Sequence, residues 1–347
     1  MEFGVYSFGD IGLDPASGAS ISPAQALTEL LERVRLAEQV GLHYFGIGEH
    51  HRPEYAVTSP STVLAAAAAV TSTIRLGSAV TVLSTEDPVR VYQQFATIDL
   101  ISGGRAELVA GRGSFIESFP LFGADLSDYD ALFAEKLDLL LQIDRSERVT
   151  WSGNFRPRLQ DAEILPRSAN GSLDIWIATG GNPESSARAG ELGLPVSYAI
   201  IGGHPARFAP LFELYRRSAA RAGHDVEQLK TAIAGPGFVG SDSRQAKDTF
   251  FPYWIKNMRK ISAERGFSIP TRDTYDEMTA AGGAIFAGSP NEVADRMLEL
   301  HRLIGNDRHG LQMDWSGVPH ELVMRSIELF GTEVVPQIEG ELAGRNR

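Results

Sequence analysis

Short apolar runs of β type alternate with longer helical runs along almost the whole of this sequence, and that alternation limits the folds open to it. Strands are expected near residues 3–8, 44–48, 75–83, 105–110, 173–179, 196–201, 231–239 and 310–314. Helices are expected between them, near residues 23–40, 60–72, 88–101, 129–143, 183–192, 205–222, 244–264 and 290–304. In the first helix Leu27, Leu30, Leu31, Val34 and Ala37 recur at helical spacing. Ser22 can cap it, Pro23 suits its first position, and Gly41 suits the left-handed position after its end. The helix near residues 290–304 opens with a capping box, Ser289 to Glu292, and stops at Gly305.

A strand can pair in parallel with the next only if the chain crosses back over the sheet, and a helix is the usual crossover. Eight such units predict a closed (β/α)8 barrel. An open doubly wound sheet shows the same alternation and is the alternative. The chain has 347 residues, room for one barrel of roughly 250 residues plus insertions, so residues 1–347 are expected to form one domain. Residues 144–172, with Gly153 and Pro157, read as an irregular insertion before the fifth strand.

Composition removes several kinds of chemistry. There is no cysteine, which excludes disulfides, thiolate-held zinc, Fe–S clusters and a cysteine nucleophile. The net charge of −12 repels phosphate backbones and argues against a nucleic-acid partner. The first ten residues do not read as a signal peptide. The most apolar stretch, residues 63–70, is far shorter than the roughly 20 residues needed to cross a bilayer, so no membrane association and a cytoplasmic location are expected.

In a (β/α)8 barrel the active site lies at the C-terminal ends of the strands. Three such ends carry unusual residues. Glu49, His50 and His51 follow the second strand, and histidines there can move protons near neutral pH. A polar loop with locally bonded histidines is the plainer reading. A shared metal is disfavoured, because consecutive strand residues point to opposite faces. Arg112, between Gly111 and Gly113, follows the fourth strand and suits a phosphate or an exposed turn. Gly180, Gly181, Asn182, Ser185 and Ser186 follow the fifth. They suit an anion at a helix N-terminus or an ordinary capped helix. Neither GxGxxG after the first strand nor a Walker P-loop is present.

The segments GLHYFGIGEHH, RLGSAVTVLSTEDPVRVYQQFATIDLISGGRAELVAGRG, FPLFGADLSDY and IATGGNPESSARAGELGLP, with SPNEVADRMLELHRLIG near the end, together resemble the bacterial luciferase-like flavin-dependent monooxygenases. The resemblance implies a (β/α)8 barrel with reduced FMN, or in some branches the deazaflavin F420, at its mouth. It aligns His50 with the family's catalytic histidine, which exchanges a proton with the oxygenated flavin or with substrate, and gives Glu49 and His51 a supporting place. It puts Ala79 and Val80 where the family often has a non-prolyl cis peptide facing the flavin ring. Arg112 aligns with a flavin-phosphate arginine, and Gly180, Gly181, Asn182, Ser185 and Ser186 align with the phosphate turn. Phe8, Phe115, Phe119, Phe122 and Trp315 are candidates for an apolar pocket.

There are departures. Gly111 stands where luciferase has a reactive cysteine, so nothing argues for light emission. Gly181 stands where luciferase has a glutamate. The expectation is a two-component type monooxygenase acting with O2 on a small organic substrate. An NAD(P)H-dependent flavin reductase would supply the reduced FMN, and the oxygenase would be a homodimer. Its rivals are F420-dependent hydride transfer on the same barrel, a non-catalytic flavin-binding protein, and a metal-dependent barrel hydrolase.

Overall fold

The computed structural model describes residues 1–13, 17–266 and 268–345. Eight parallel strands form the centre: β1 (Glu2–Ser7), β2 (Tyr44–Ile47), β3 (Arg75–Ser78), β4 (Ala106–Gly111), β5 (Asp174–Thr179), β6 (Val196–Ala199), β7 (Thr231–Val239) and β8 (Arg308–Gln312). Each pairs with the next, and β8 returns to β1 through Glu2↔Arg308 and Val5↔Leu311. The sheet is therefore closed, and the open alternative is excluded.

Helices follow the strands on the outside: α1 (Pro23–Gln39), α2 (Pro60–Ala69), α3 (Pro88–Ser102), α4 (Tyr129–Arg145), α5 (Pro183–Leu192), α6 (Ala209–Arg221) and α7 (Ser243–Arg265). Then come α8 (Arg272–Thr279), α9 (Pro290–Ile304), α10 (His320–Leu329) and α11 (Val335–Arg345). Outward residues of the strands, such as Phe3, Leu76, Leu108 and Ile177, are buried against this layer in one continuous apolar core. The Ser22 side chain accepts from Gln25 N–H, and Gly305 closes α9 in the left-handed region. At α9 only half of the expected capping box forms. Ser289 accepts from Glu292 N–H, but the Glu292 carboxylate pairs with Lys247 at 2.6 Å instead of turning back to the cap.

Two stretches differ from expectation. Residues 144–172 hold an antiparallel hairpin, Arg148–Trp151 with Leu159–Glu163. Its Trp151 is buried against α4 and donates to Asp138 at 3.0 Å. A short strand, Phe286–Gly288, also extends the sheet beside the end of β7. Both are local pairings of short segments, and neither has the long apolar run by which the barrel strands announce themselves.

The interior of the barrel is unusual. Such interiors are commonly filled by layers of branched apolar side chains. Here Ala178, Ser197, Ala199, Ala232, Ala234 and Gly310 line one side, and they are too small to fill it. The floor is polar. Arg308 is 4% exposed and Glu107 0% exposed, and the guanidinium meets the carboxylate at 2.5 and 2.8 Å. The rings of Tyr44 and Trp176 lie 4.4 and 4.7 Å from the same guanidinium. Burial alone would push the Glu107 carboxyl up, but Arg308 and Arg75 hold it below the usual range. Small residues above a plugged floor leave a cavity open at the C-terminal ends of the strands.

Candidate active site

The cavity has a volume of about 520 Å³. It runs from Arg308 and Trp176 at the floor to His50, Tyr55, Phe115 and Trp315 near the mouth, with Arg112, Gly180 and Asn182 also on its wall. That volume lies in the range of small-molecule and cofactor sites.

Glu49, His50 and His51 leave β2 at the mouth and do different things. Glu49 is 4% exposed, and its carboxylate spans two elements. One oxygen accepts Val82 N–H at 2.6 Å, and the other lies 3.2 Å from His51 Nε2. The bond to Glu49 outweighs burial and raises the His51 pKa. His50 is held by stacking. It lies on Phe8 with ring centroids 4.2 Å apart, and Tyr55 and Phe115 flank it at 4.6 and 4.5 Å. Burial, with the charges of Arg52 and His51, lowers its pKa to about 3. The sequence suggests that both histidines exchange protons near pH 7. In the fold they diverge, and His50 stays a neutral imidazole at that pH.

Arg52 braces Phe115 from outside the cavity lining. Its guanidinium sits 3.8 Å over the Phe115 ring and bonds Glu117 at 2.5 Å and Glu264 of α7 at 2.9 Å. Three separate segments meet there. Phe8, Phe115 and Trp315 line the cavity, whereas Phe119 is buried against Tyr129 and Phe122 is half exposed beside His51.

The anion end is built around Arg112. Its guanidinium faces the cavity wall, 5.2 Å from the Tyr129 ring, and pairs with the exposed carboxylate of Asp130. The turn before α5 takes the form of an ordinary capped helix, the plainer of the two expected readings. Gly181 N–H and Asn182 N–H donate to the Thr179 hydroxyl at 3.3 and 3.2 Å, and Ser185 N–H donates to Asn182 Oδ1 at 2.8 Å. The Ser186 hydroxyl donates to Asn182 O at 3.2 Å and accepts from Tyr198 at 3.1 Å. Gly180 and Asn182 line the cavity, but Gly181, Ser185 and Ser186 do not. The two serines face the barrel wall because they sit on the side of α5 that packs inward.

Ala79 and Val80 are joined by a cis peptide bond and line the cavity between β3 and a two-residue extension, Thr81–Val82. Val80 explains Gly111. A Cβ at position 111 would lie 2.5 Å from Val80 Cγ2. Here the space of a side chain at 111 belongs to Val80.

The sequence reading missed Tyr6, Tyr44, Tyr55, Trp176, Arg308 and Gln312, all of which line the cavity. A signal existed for some. Arg308, Gly310 and Gln312 alternate along β8, so two polar residues share its inward face. No group of three metal-ligating side chains converges among the described residues.

These features fit a flavin, since the cavity offers flat apolar walls, an arginine at one end and a ring-stacked neutral histidine. The model for luciferase-like monooxygenases matches residues 1–307. 4-Hydroxyprotoasukamycin monooxygenase of Streptomyces nodosus subsp. asukaensis is 28% identical, over 97% of this chain and 94% of its own. A monooxygenase of Streptomyces bottropensis superposes with a TM-score of 0.85 at 25% identity, covering 97% of this chain and 99% of the other. The oxygenating constituent of 3,6-diketocamphane monooxygenase of Pseudomonas putida, solved with FMN, shares the fold with a TM-score of 0.76 at 19% identity, covering 97% and 98%. This chain belongs to the luciferase-like monooxygenase family.

Proposed function

We propose that this protein is a monooxygenase that uses reduced FMN and O2 on a small, largely apolar organic substrate. The observation that carries the reading is His50, a neutral imidazole stacked in the wall of a 520 Å³ cavity that also presents Arg112. A storage site for flavin has no need of such a group.

Arg112 would hold the phosphate, with Gly180 and Asn182 beside it. The backbone of Ala79 and Val80 would lie against the flavin ring. The bound reduced flavin supplies the electrons that activate O2. His50, as a neutral imidazole, would accept a proton at a ring nitrogen. Glu49 keeps His51 and the Val82 backbone in register beside it. Phe8, Tyr55, Phe115 and Trp315 exclude water, which strengthens every polar contact inside. A separate NAD(P)H-dependent reductase would deliver the reduced flavin, and the working form would be a homodimer.

The test is titration of the purified protein with oxidised FMN, reduced FMN and F420 under anaerobic conditions, followed by measurement of oxygen uptake on aeration. Preferential binding of reduced FMN, with oxygen uptake, supports the proposal. Preferential binding of F420 moves the protein to hydride transfer. Flavin binding without oxygen uptake, across a panel of substrates, moves it to a binding role.

A further inference from the structure

Tyr6 has no part in the reading above, yet it lies inside the cavity. It stands on β1 two residues before Phe8, so both side chains point into the barrel. Its ring meets Phe8 edge to face at 6.0 Å, and Phe8 stacks on His50 at 4.2 Å. Tyr6 is therefore one ring removed from the catalytic candidate, on the floor side. Only 7% of it is exposed, and its hydroxyl makes no hydrogen bond among the described residues. Buried phenols usually find a partner. This one has space in front of it instead. Gly310 on β8 lies beside the ring, where an added Cβ would make ordinary contact with Cδ1 at 3.6 Å, and Ala232 and Ala234 of β7 line the same cavity.

The groups behind Tyr6 set what it can do. Asp10 and Asp314 are 2% exposed. Asp314 accepts from Ser7 at 2.5 Å and from Arg33 at 3.0 Å. Asp10 accepts from Ser316 N–H at 2.7 Å and from Gln312, a neighbour of Tyr6 in the cavity wall, at 3.2 Å. Burial and these two carboxylates raise the Tyr6 pKa, so the phenol keeps its proton. Burial pushes both carboxyls up, Asp10 strongly because Asp314 lies beside it, and Arg33 pairs with Asp314, so the cluster behind the phenol carries little net charge. A phenol that keeps its proton and faces small apolar residues suits a neutral oxygen acceptor on the ligand.

We infer that Tyr6 is a ligand-binding residue whose hydroxyl donates to a carbonyl oxygen of a molecule held in the barrel. That oxygen could sit on the flavin ring or on the organic substrate, and the donor geometry is the same for both. The inference rests on the proposed site but not on its cofactor, because a substrate carbonyl would serve equally.

The test compares the wild-type chain with Tyr6→Phe, which keeps the ring and removes only the hydroxyl. Lumiflavin probes the flavin carbonyls without the phosphate. Acetophenone, set against ethylbenzene, probes a substrate carbonyl. Loss of one neutral hydrogen bond weakens binding by roughly threefold to tenfold. Weaker lumiflavin binding in the variant supports the inference and assigns the oxygen to the flavin. Unchanged lumiflavin with weaker acetophenone, and ethylbenzene unaffected, supports it and assigns the oxygen to substrate. No change with either carbonyl probe overturns it. If the wild-type chain binds no flavin at all, the proposed function falls while the acetophenone comparison still decides the role of Tyr6. Should Tyr6→Phe fold poorly, the infrared carbonyl stretches of lumiflavin and of acetophenone bound to the wild-type chain give the answer. A shift to lower frequency in either supports the bond, and no shift in either refutes it.

Discussion

The imidazole of His50 lies on the ring of Phe8 with centroids 4.2 Å and planes 24° apart. The stack supports His50 on its apolar face and leaves its ring nitrogens free of protein partners among the described residues. His50→Ala should therefore leave FMN binding within about threefold and cut turnover by roughly 10²–10⁴-fold, the usual worth of a general acid or base. Unchanged turnover would remove His50 from the chemistry. Since its pKa is pushed down to about 3, the kcat/KM profile should show no limb from His50 near pH 6.5. A limb there that His50→Ala abolishes would contradict the structure.

Arg112 carries the charge at the phosphate end. Arg112→Ala should weaken FMN about tenfold or more and riboflavin hardly at all, because only FMN has the phosphate to lose a charge-assisted bond. Isothermal titration with both ligands measures the difference. Equal weakening would place the phosphate elsewhere. Ser186→Ala should change FMN affinity little, since its hydroxyl is spent on Asn182 and Tyr198.

Val80 and Gly111 share one space. Gly111→Cys puts a Cβ 2.5 Å from Val80 and should drive that side chain into the cavity, weakening flavin binding about tenfold. The double variant with Val80→Ala should recover most of the loss. Failure of the double variant to recover would show that the glycine is required for another reason.

The floor of the barrel is a buried ion pair. Glu107→Gln leaves Arg308 with Glu2 as its remaining carboxylate partner, so the cost should fall below the about 3–5 kcal/mol typical of an unpaired buried charge. Urea unfolding at pH 7 would show it as a lower midpoint. Replacing both residues by apolar ones of similar size should cost much less. A single variant as stable as wild type would mean that Glu2 alone compensates the Arg308 charge.

Stability should also fall as pH drops below 6.5. His309 is 1% exposed, and burial followed by Arg296 lowers its pKa to about 3. Unfolded, it titrates near 6.5. Between those values the unfolded chain binds more protons, so this contribution is complete above pH 6.5 and is lost as pH falls toward 3. Each such histidine contributes a slope of up to about 1.4 kcal/mol per pH unit. Unfolding free energies at pH 7, 6 and 5 should decline, and His309→Phe should flatten the decline. An equal slope in the variant would exclude His309 as its source.

Strand–helix alternation is written in local residue order, so the eight strand–helix units could be read without coordinates, whereas closure of the sheet rests on the pairing of β8 with β1. Periodicity, caps such as Ser22, and punctuating glycines such as Gly305 act within a few residues of themselves. The strand ends that bear His50, Arg112 and Gly180 follow from the same reading, because a parallel barrel puts all eight C-terminal ends on one face. Three things needed the tertiary structure. His50 and His51 are adjacent in sequence, but their opposite pKa shifts come from Phe8, Phe115 and Glu49 around them. Ser186 looked free to bind an anion until Tyr198 and Asn182 took its hydroxyl. Tyr6, Gln312 and Arg308 became neighbours only when β8 closed against β1. Charge, burial and hydrogen-bond supply depend on groups far away in the chain, and a linear sequence states none of those distances.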